Sequence, residues 1–147
     1  MIRPIAAADQ QDYLEMCREF YSGDAVLHPV PERYFQRTFD TLMESDTYAS
    51  AYIMEENDAI VGYALLAKTF SQEAGGMVIW IEELYIRPAY QGRGYGTGFF
   101  RFLEQEMGDR VSRLRLEYEP DNLRGAALYR RLGFTPLGYG QMVKELG

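Results

Sequence analysis

One stretch constrains this chain more than any other: Met77 to Leu103, MVIWIEELYIRPAYQGRGYGTGFFRFL. Val78 to Ile86 is a run of β-branched and aromatic residues, the composition of a buried strand. Arg87-Pro88-Ala89-Tyr90 ends it, because proline cannot donate to a sheet ladder. Gln91-Gly92-Arg93-Gly94-Tyr95-Gly96-Thr97-Gly98 follows, and then an apolar helix from Phe99 to Met107. The first N–H groups of a helix lack intrahelical partners, and the peptide dipoles add positive charge there. Glycines ahead of the helix let those amides approach an anion closely. The order strand, glycine-dense turn, helix is therefore a layout for holding a phosphate.

Two common phosphate motifs do not fit. A GxxxxGK[ST] loop needs a lysine after its last glycine, and none is present. A GxGxxG fingerprint fails in both frames, meeting Thr97 when counted from Gly92 and Phe99 when counted from Gly94. The pattern that does fit is [Q/R]-x-x-G-x-G, here Gln91-Gly92-Arg93-Gly94-Tyr95-Gly96.

The rest of the chain supplies a compact frame. Ile2 to Ile5 reads as a short strand, followed by a helix from Asp9 to Tyr21 with Asp9 as its cap. Tyr13, Met16, Cys17, Phe20 and Tyr21 share one apolar stripe, which makes Cys17 a core residue and not a nucleophile. Ser22-Gly23-Asp24 stops that helix, and Ala25 to Val30 is an extended loop carrying Leu27 and the only histidine, His28. Pro31 opens a second helix with Phe35, Thr38, Phe39, Leu42 and Met43 on one face. Tyr48–Glu55 and Ile60–Phe70 pair as a hairpin across Glu56-Asn57-Asp58-Ala59. Gly108 caps the third helix. Val111 to Glu119 alternates as a fifth strand, and Phe134 to Met142 returns as a last one. Between them, Asn122 caps a short helix closed by Gly133, with Leu128 and Leu132 as an i, i+4 pair.

Composition narrows the function classes. A length of 147 residues suits one domain, 1–147, and the hydrophobic fraction of 47% suits a packed core. A net charge of −7 argues against general nucleic-acid binding. No apolar run approaches the roughly 20 residues of a membrane helix, no export segment follows Met1-Ile2-Arg3-Pro4, and one cysteine permits no internal disulfide. A cytoplasmic protein without membrane contact is the expectation. The charge is uneven: residues 1–83 hold fifteen acids and five bases, residues 84–147 seven acids and ten bases. That division matches ordinary solvated surface, or one half suited to a polyanion and another to a cationic substrate.

Asn122…Leu128-Tyr129…Leu132-Gly133-Phe134, following a strand, resembles the second conserved segment of the GNAT superfamily of N-acetyltransferases. Gln91–Gly96, with the preceding ELYIRPAYQG, resembles that family's acyl-CoA motif. Gly125 stands where the family usually has alanine, with Ala126 next. The resemblance covers about residues 48–147; the first 47 match only in helix–helix layout. It implies an α/β (α+β) fold of the GNAT-like acyl-CoA N-acyltransferase type. That fold is a mixed, mostly antiparallel sheet of six to seven strands, splayed between the fourth and fifth, with about four helices on both faces.

The resemblance further implies acetyl-CoA as co-substrate, no metal, and roles for named residues. Backbone groups of Leu84, Tyr85 and Ile86 would hold the pantetheine arm like an added strand. Gln91, Gly92, Arg93, Gly94, Tyr95, Gly96 and Thr97 would wrap the pyrophosphate, and Asn122 and Tyr129 would contact the arm. An alkyl ammonium has a pKa near ~10, so a base must deprotonate it before attack on the thioester. Glu82 stands nine positions before Gln91, the spacing of the carboxylate base in the spermidine/spermine-like branch. Ile81, Trp80 and Leu84 around it would raise its pKa. Glu83 on the opposite face, or a water chain, is the alternative. Tyr129 would protonate the departing thiolate, and the amide of Leu84 would stabilise the oxyanion. Leu27, His28 and Glu83 are candidates for the acceptor side. The expected reaction is acetyl transfer to a primary amine of a small molecule, with a polycationic one favoured by the acidic first half alone. A protein or peptide N-acetyltransferase and a non-catalytic acyl-CoA-binding module are the competing readings. The resemblance also allows a homodimer.

Overall fold

The two apolar runs flanking Asn57-Asp58 form the hairpin that starts the sheet. In the computed structural model, which describes residues 1–23 and 26–147, they are β2 (Ala49–Glu56) and β3 (Ala59–Ser71). Asn57 and Asp58 take φ of 51° and 65°, the left-handed pair that a two-residue hairpin turn demands. β1 (Ile2–Pro4) pairs antiparallel with β2, and β4 (Gly76–Ile86) antiparallel with β3. β5 (Arg113–Leu116) then joins β4 in parallel, giving one sheet in the order β1-β2-β3-β4-β5.

Among the described residues, four α-helices cover both faces. α1 (Gln10–Tyr21) and α2 (Glu32–Glu44) pack Tyr13, Met16, Cys17, Phe35 and Phe39 against Ile53 and Tyr63. On the other face, α3 (Tyr95–Met107) buries Phe99, Phe100 and Leu103 against Val61, Leu66, Ile79 and Ile81. α4 (Leu123–Arg131) adds Tyr129 and the following Leu132 to that layer. Cys17 is 1% exposed, a small core residue as its stripe predicts.

A β-bulge shapes β4. Leu65 of β3 faces Glu83 and the next residue, Leu66, faces Ile81, so Glu82 has no partner. The extra residue lets Ile79, Ile81, Leu84 and Ile86 all pack on the α3 side, while Tyr85 packs on the α1 side. β4 and β5 stay paired only from Val78↔Arg113 to Ile81↔Leu116. Beyond that point they part, and β4 runs on to Ile86 alone on that edge.

Several expectations are corrected. The sheet has five strands among the described residues, not six to seven. Phe134 to Met142 forms no strand: Pro136 has no N–H to give, and Gly138 is left-handed at φ 87°, so a continuous ladder is blocked. β5 stops at Leu116 because the chain turns away toward Pro120. Asp9 occupies the position before α1 but does not cap it. Its carboxylate accepts from the Ala6 N–H at 2.7 Å and from Arg3 Nη1 and Nη2, both at 2.8 Å. Helix α3 begins inside the glycine run, at Tyr95. Asp24 and Ala25, expected to end α1 and begin the loop, lie outside the described residues.

Candidate active site

The site follows from the parting of β4 and β5. Arg87 N–H donates to Val61 O at 2.8 Å, which sets the phase of the antiparallel ladder. Counting back by twos, Tyr85 and Glu83 bond to β3, so Leu84 and Ile86 direct their N–H and C=O groups to the opposite edge. β5 no longer covers that edge. Gln91 Nε2 donates to Ile86 O at 2.9 Å, which ties the turn to the end of the strand.

The glycine turn holds left-handed backbone just ahead of α3. Gly92 has φ 77°, and Gly94, the residue before α3, has φ 86°, both in the region L side chains avoid. The amides of Tyr95, Gly96 and Thr97 form the first turn of α3, where no intrahelical carbonyl is available. A Cβ on Gly96 would lie 3.4 Å from Leu128 Cδ2 and 3.9 Å from Leu84 Cδ2, so this glycine lets α3 sit close to α4 and β4. Asn122 caps α4, its Oδ1 accepting from Gly125 N–H at 3.1 Å.

These parts enclose a cleft of about 570 Å³. Leu84, Tyr85, Ile86, Gln91, Gly92, Gly94, Tyr95, Gly96, Thr97, Asn122 and Tyr129 line it, so most of the residues expected to bind cofactor come together. Arg93 does not line it; its guanidinium lies over the Tyr90 ring, 5.3 Å from the centroid, and 3.8 Å from Glu56. Among the cleft residues the sequence reading does not single out are three charged ones, Glu19 of α1 and Arg124 and Arg131 of α4. Arg124 approaches the glycine turn closely, within 3.6 Å of a Cβ placed on Gly92. The available signal was two arginines seven apart on a helix whose cap had already been recognised.

A second cleft of about 630 Å³ lies along β5, lined by Trp80, Arg115, Glu117, Tyr118, Phe134 and Tyr139 among others. Tyr129 is the one residue that lines both clefts. Its ring is set among Phe100, Tyr118 and Phe134 at centroid distances of 6.0–6.2 Å. Burial pushes its pKa up, so the hydroxyl keeps its proton.

The two glutamates of the bulge diverge. Glu83 accepts from Tyr21 Oη at 2.5 Å and from Tyr63 Oη at 2.6 Å, on the α1 side of the sheet. Burial raises its pKa and the two tyrosine bonds lower it, with burial prevailing. Glu82 has no hydrogen-bond or ion-pair partner among the described residues and is largely exposed at the rim. Leu84 on one side of it lines the first cleft, and Glu117 lines the second. Its pKa is raised by burial first, then by the charges of Glu117 and Glu83. Water on the open side limits the size of that shift. Leu27 and His28 are exposed in the connection from α1 to α2 and line neither cleft. No cluster of three or more His, Cys, Asp or Glu side chains suited to a metal occurs among the described residues. No helix among the described residues is long and apolar enough to cross a membrane.

A strand edge left open beside a glycine-rich helix start agrees with the similarity found to known proteins. The model of the Acetyltransferase (GNAT) family matches residues 11–134. The chain belongs to that family. It is 32% identical over 83 residues to a thialysine N-epsilon-acetyltransferase of Bos taurus, covering 56% of this chain and 48% of that protein. It is also 28% identical over 153 aligned positions to an uncharacterized N-acetyltransferase of Methanocaldococcus jannaschii, covering 99% of this chain and 66% of that one. The chain thus spans about half to two thirds of the length of these relatives. Among solved structures, the aminoglycoside N-acetyltransferase AAC(6')-Iy, in complex with the bisubstrate analog CoA-S-monomethyl-acetylneamine, superposes with a TM-score of 0.81. That match is at 12% identity and covers 100% of this chain and 98% of the other, so it speaks for the fold.

Proposed function

We propose that this domain, spanning residues 1–147, transfers an acetyl group from acetyl-CoA to a primary amine of a small molecule within a ternary complex. The observation that carries the reading is the uncovered edge at Leu84 and Ile86, opening into the same cleft as the first-turn amides of α3. A peptide-like pantetheine arm can bond that edge as a strand would. The α3 amides and the arginines of α4 suit the phosphates at its far end. When bound, acetyl-CoA supplies the thioester carbonyl that the amine attacks.

The residues then divide the work. Glu82 takes the proton of the ammonium, directly or through a water, and its raised pKa brings its basicity closer to the task. The Leu84 N–H, directed off the sheet edge, meets the negative charge that develops on the carbonyl oxygen. Tyr129 donates its proton to the sulfur as negative charge develops on it; burial keeps the phenol protonated and so available as the donor. The thialysine acetyltransferase acts, by its name, on a small amine, which favours a small acceptor over a protein one.

Calorimetric titration with acetyl-CoA tests the cofactor. Binding is expected, with a rise in unfolding temperature equivalent to roughly 2.7 kcal/mol at a hundredfold excess over Kd. No binding at millimolar acetyl-CoA, with NADH or ATP bound instead, overturns the reading. An acceptor panel read by released CoA thiol separates small amines from peptides. Tight binding with no transfer to any acceptor would instead assign a non-catalytic acyl-CoA-binding module.

A further inference from the structure

The cleft walls carry opposite charge. Arg124 and Arg131 lie on the α4 wall, and Glu19 of α1 is the one acidic side chain among the described residues that line the cleft. Glu19 continues a row of acids on α1, after Asp12 and Glu15, at the i+3 and i+4 spacing that keeps them on one helix face. The other two share one arginine. Asp12 and Glu15 reach Arg87 Nη2 at 3.3 and 3.5 Å, and Arg87 is held further by the Ile60 carbonyl at 2.9 Å. Glu19 has no basic partner among the described residues.

It is nevertheless held in place. Tyr85 Oη donates to Glu19 Oε2 at 2.7 Å, and among the described residues Oε1 has no donor. The neighbouring bond runs the other way, from Tyr21 of α1 to Glu83 of β4. Helix and strand thus exchange a tyrosine–glutamate pair in each direction, and the end of α1 is fixed against the strand that carries Leu84. A carboxylate oriented this way has paid part of the ordering entropy that makes most surface ion pairs weak.

We propose that Glu19 seats a second positive group of the acceptor, so that the enzyme selects diamine-type acceptors over monoamines; this rests on the acetyl-transfer reading above. The group it binds is not the one that reacts. The reacting nitrogen must give up its proton, a task assigned to Glu82 at the bulge, whereas a second ammonium that keeps its charge gains from pairing with Glu19. The acceptor lies with its charged end toward α1 and its reacting end toward the bulge.

Steady-state kinetics with α,ω-diaminoalkanes and monoaminoalkanes of matched length tests this, read by released CoA thiol. Wild type is expected to favour the diamine in kcat/KM by about tenfold, the scale of one charge-assisted hydrogen bond. Glu19→Gln, nearly isosteric, is expected to collapse that ratio toward one through the KM of the diamine while keeping its unfolding temperature. Tyr85→Phe is expected to lose part of the ratio, because the carboxylate loses its orienting bond. A Glu19→Gln enzyme that keeps the diamine preference overturns the seat and leaves acetyl transfer standing, as does a wild type that acetylates amines with no preference for diamines. A wild type that binds acetyl-CoA and acetylates no amine overturns the acetyl-transfer reading and the seat together.

Discussion

The two faces of the sheet around the bulge treat their polar groups in opposite ways. On the α1 side, Tyr21 and Tyr63 both spend their hydroxyls on Glu83, and Tyr85 spends its own on Glu19. No buried side-chain polar atom there, or anywhere among the described residues, lacks a partner. On the side where β4 and β5 part, the Leu84 edge is open and Glu82 is unpaired. The first region spends its hydrogen bonds on holding α1 to the sheet. The second withholds them, and groups without a partner are the ones able to exchange protons or bind a visitor. Glu82 and Glu83 are adjacent in the chain, so the contrast comes from which face the backbone gives each of them.

The largest expected effect tests whether the open side does chemistry. Tyr129→Phe keeps the ring packing and removes only the hydroxyl; turnover is expected to fall by roughly a hundredfold or more, with acetyl-CoA affinity nearly kept. Single-turnover rates beside calorimetric binding would check this, and unchanged turnover removes the acid role. Next comes the pair of glutamates. With a raised pKa, Glu82 stays protonated to higher pH than an ordinary carboxyl, so the rate should climb as pH rises through that value. Glu82→Gln is expected to flatten that limb of the pH–rate profile and lower the neutral-pH rate by about tenfold or more. Glu83→Gln should leave the limb in place; the reverse result would exchange their roles.

The smallest effect belongs to the closed side. Tyr63→Phe deprives half-buried Glu83 of one of its two donors and is expected to cost about 1–3 kcal/mol by denaturant unfolding, with little change in the shape of the pH profile. The sign of the pH dependence follows from Glu83 itself. Its folded pKa lies above the ordinary carboxyl value, so its contribution to stability is full below the unfolded pKa and is lost as pH rises through the folded one. Glu83→Gln should therefore reduce that loss on the rising-pH side.

The elements that were legible in the sequence are those with local causes. Asn57-Asp58 specifies its hairpin by backbone conformation, Asn122 caps α4 with its own side chain, and the glycine run can start a helix in few other ways. The bulge was not legible, because Val78-Ile79-Trp80-Ile81 is apolar at every position and shows no alternation from which a face could be read. The tail from Thr135 onward misled for a related reason. Leu137, Tyr139 and Val143 favour strands, but Pro136 and Gly138 decide the backbone there, and its tether is a side-chain bond from Tyr139 to Glu73 at 2.6 Å. Arg124 and Glu19 enter the site through tertiary packing of separate helices, which no local pattern reports.

The unmatched residue at position 82 also changes the parity of β4. Odd-numbered side chains before it and even-numbered ones after it look toward the same helix. Removing that single residue would set Ile81 directly before Glu83 and restore plain alternation, with Ile79, Ile81, Leu84 and Ile86 still toward α3 and Tyr85 still toward α1. A one-residue deletion at 82 should therefore be tolerated by the fold, whereas deleting a paired residue such as Ile79 turns the strand upstream of it to the opposite face.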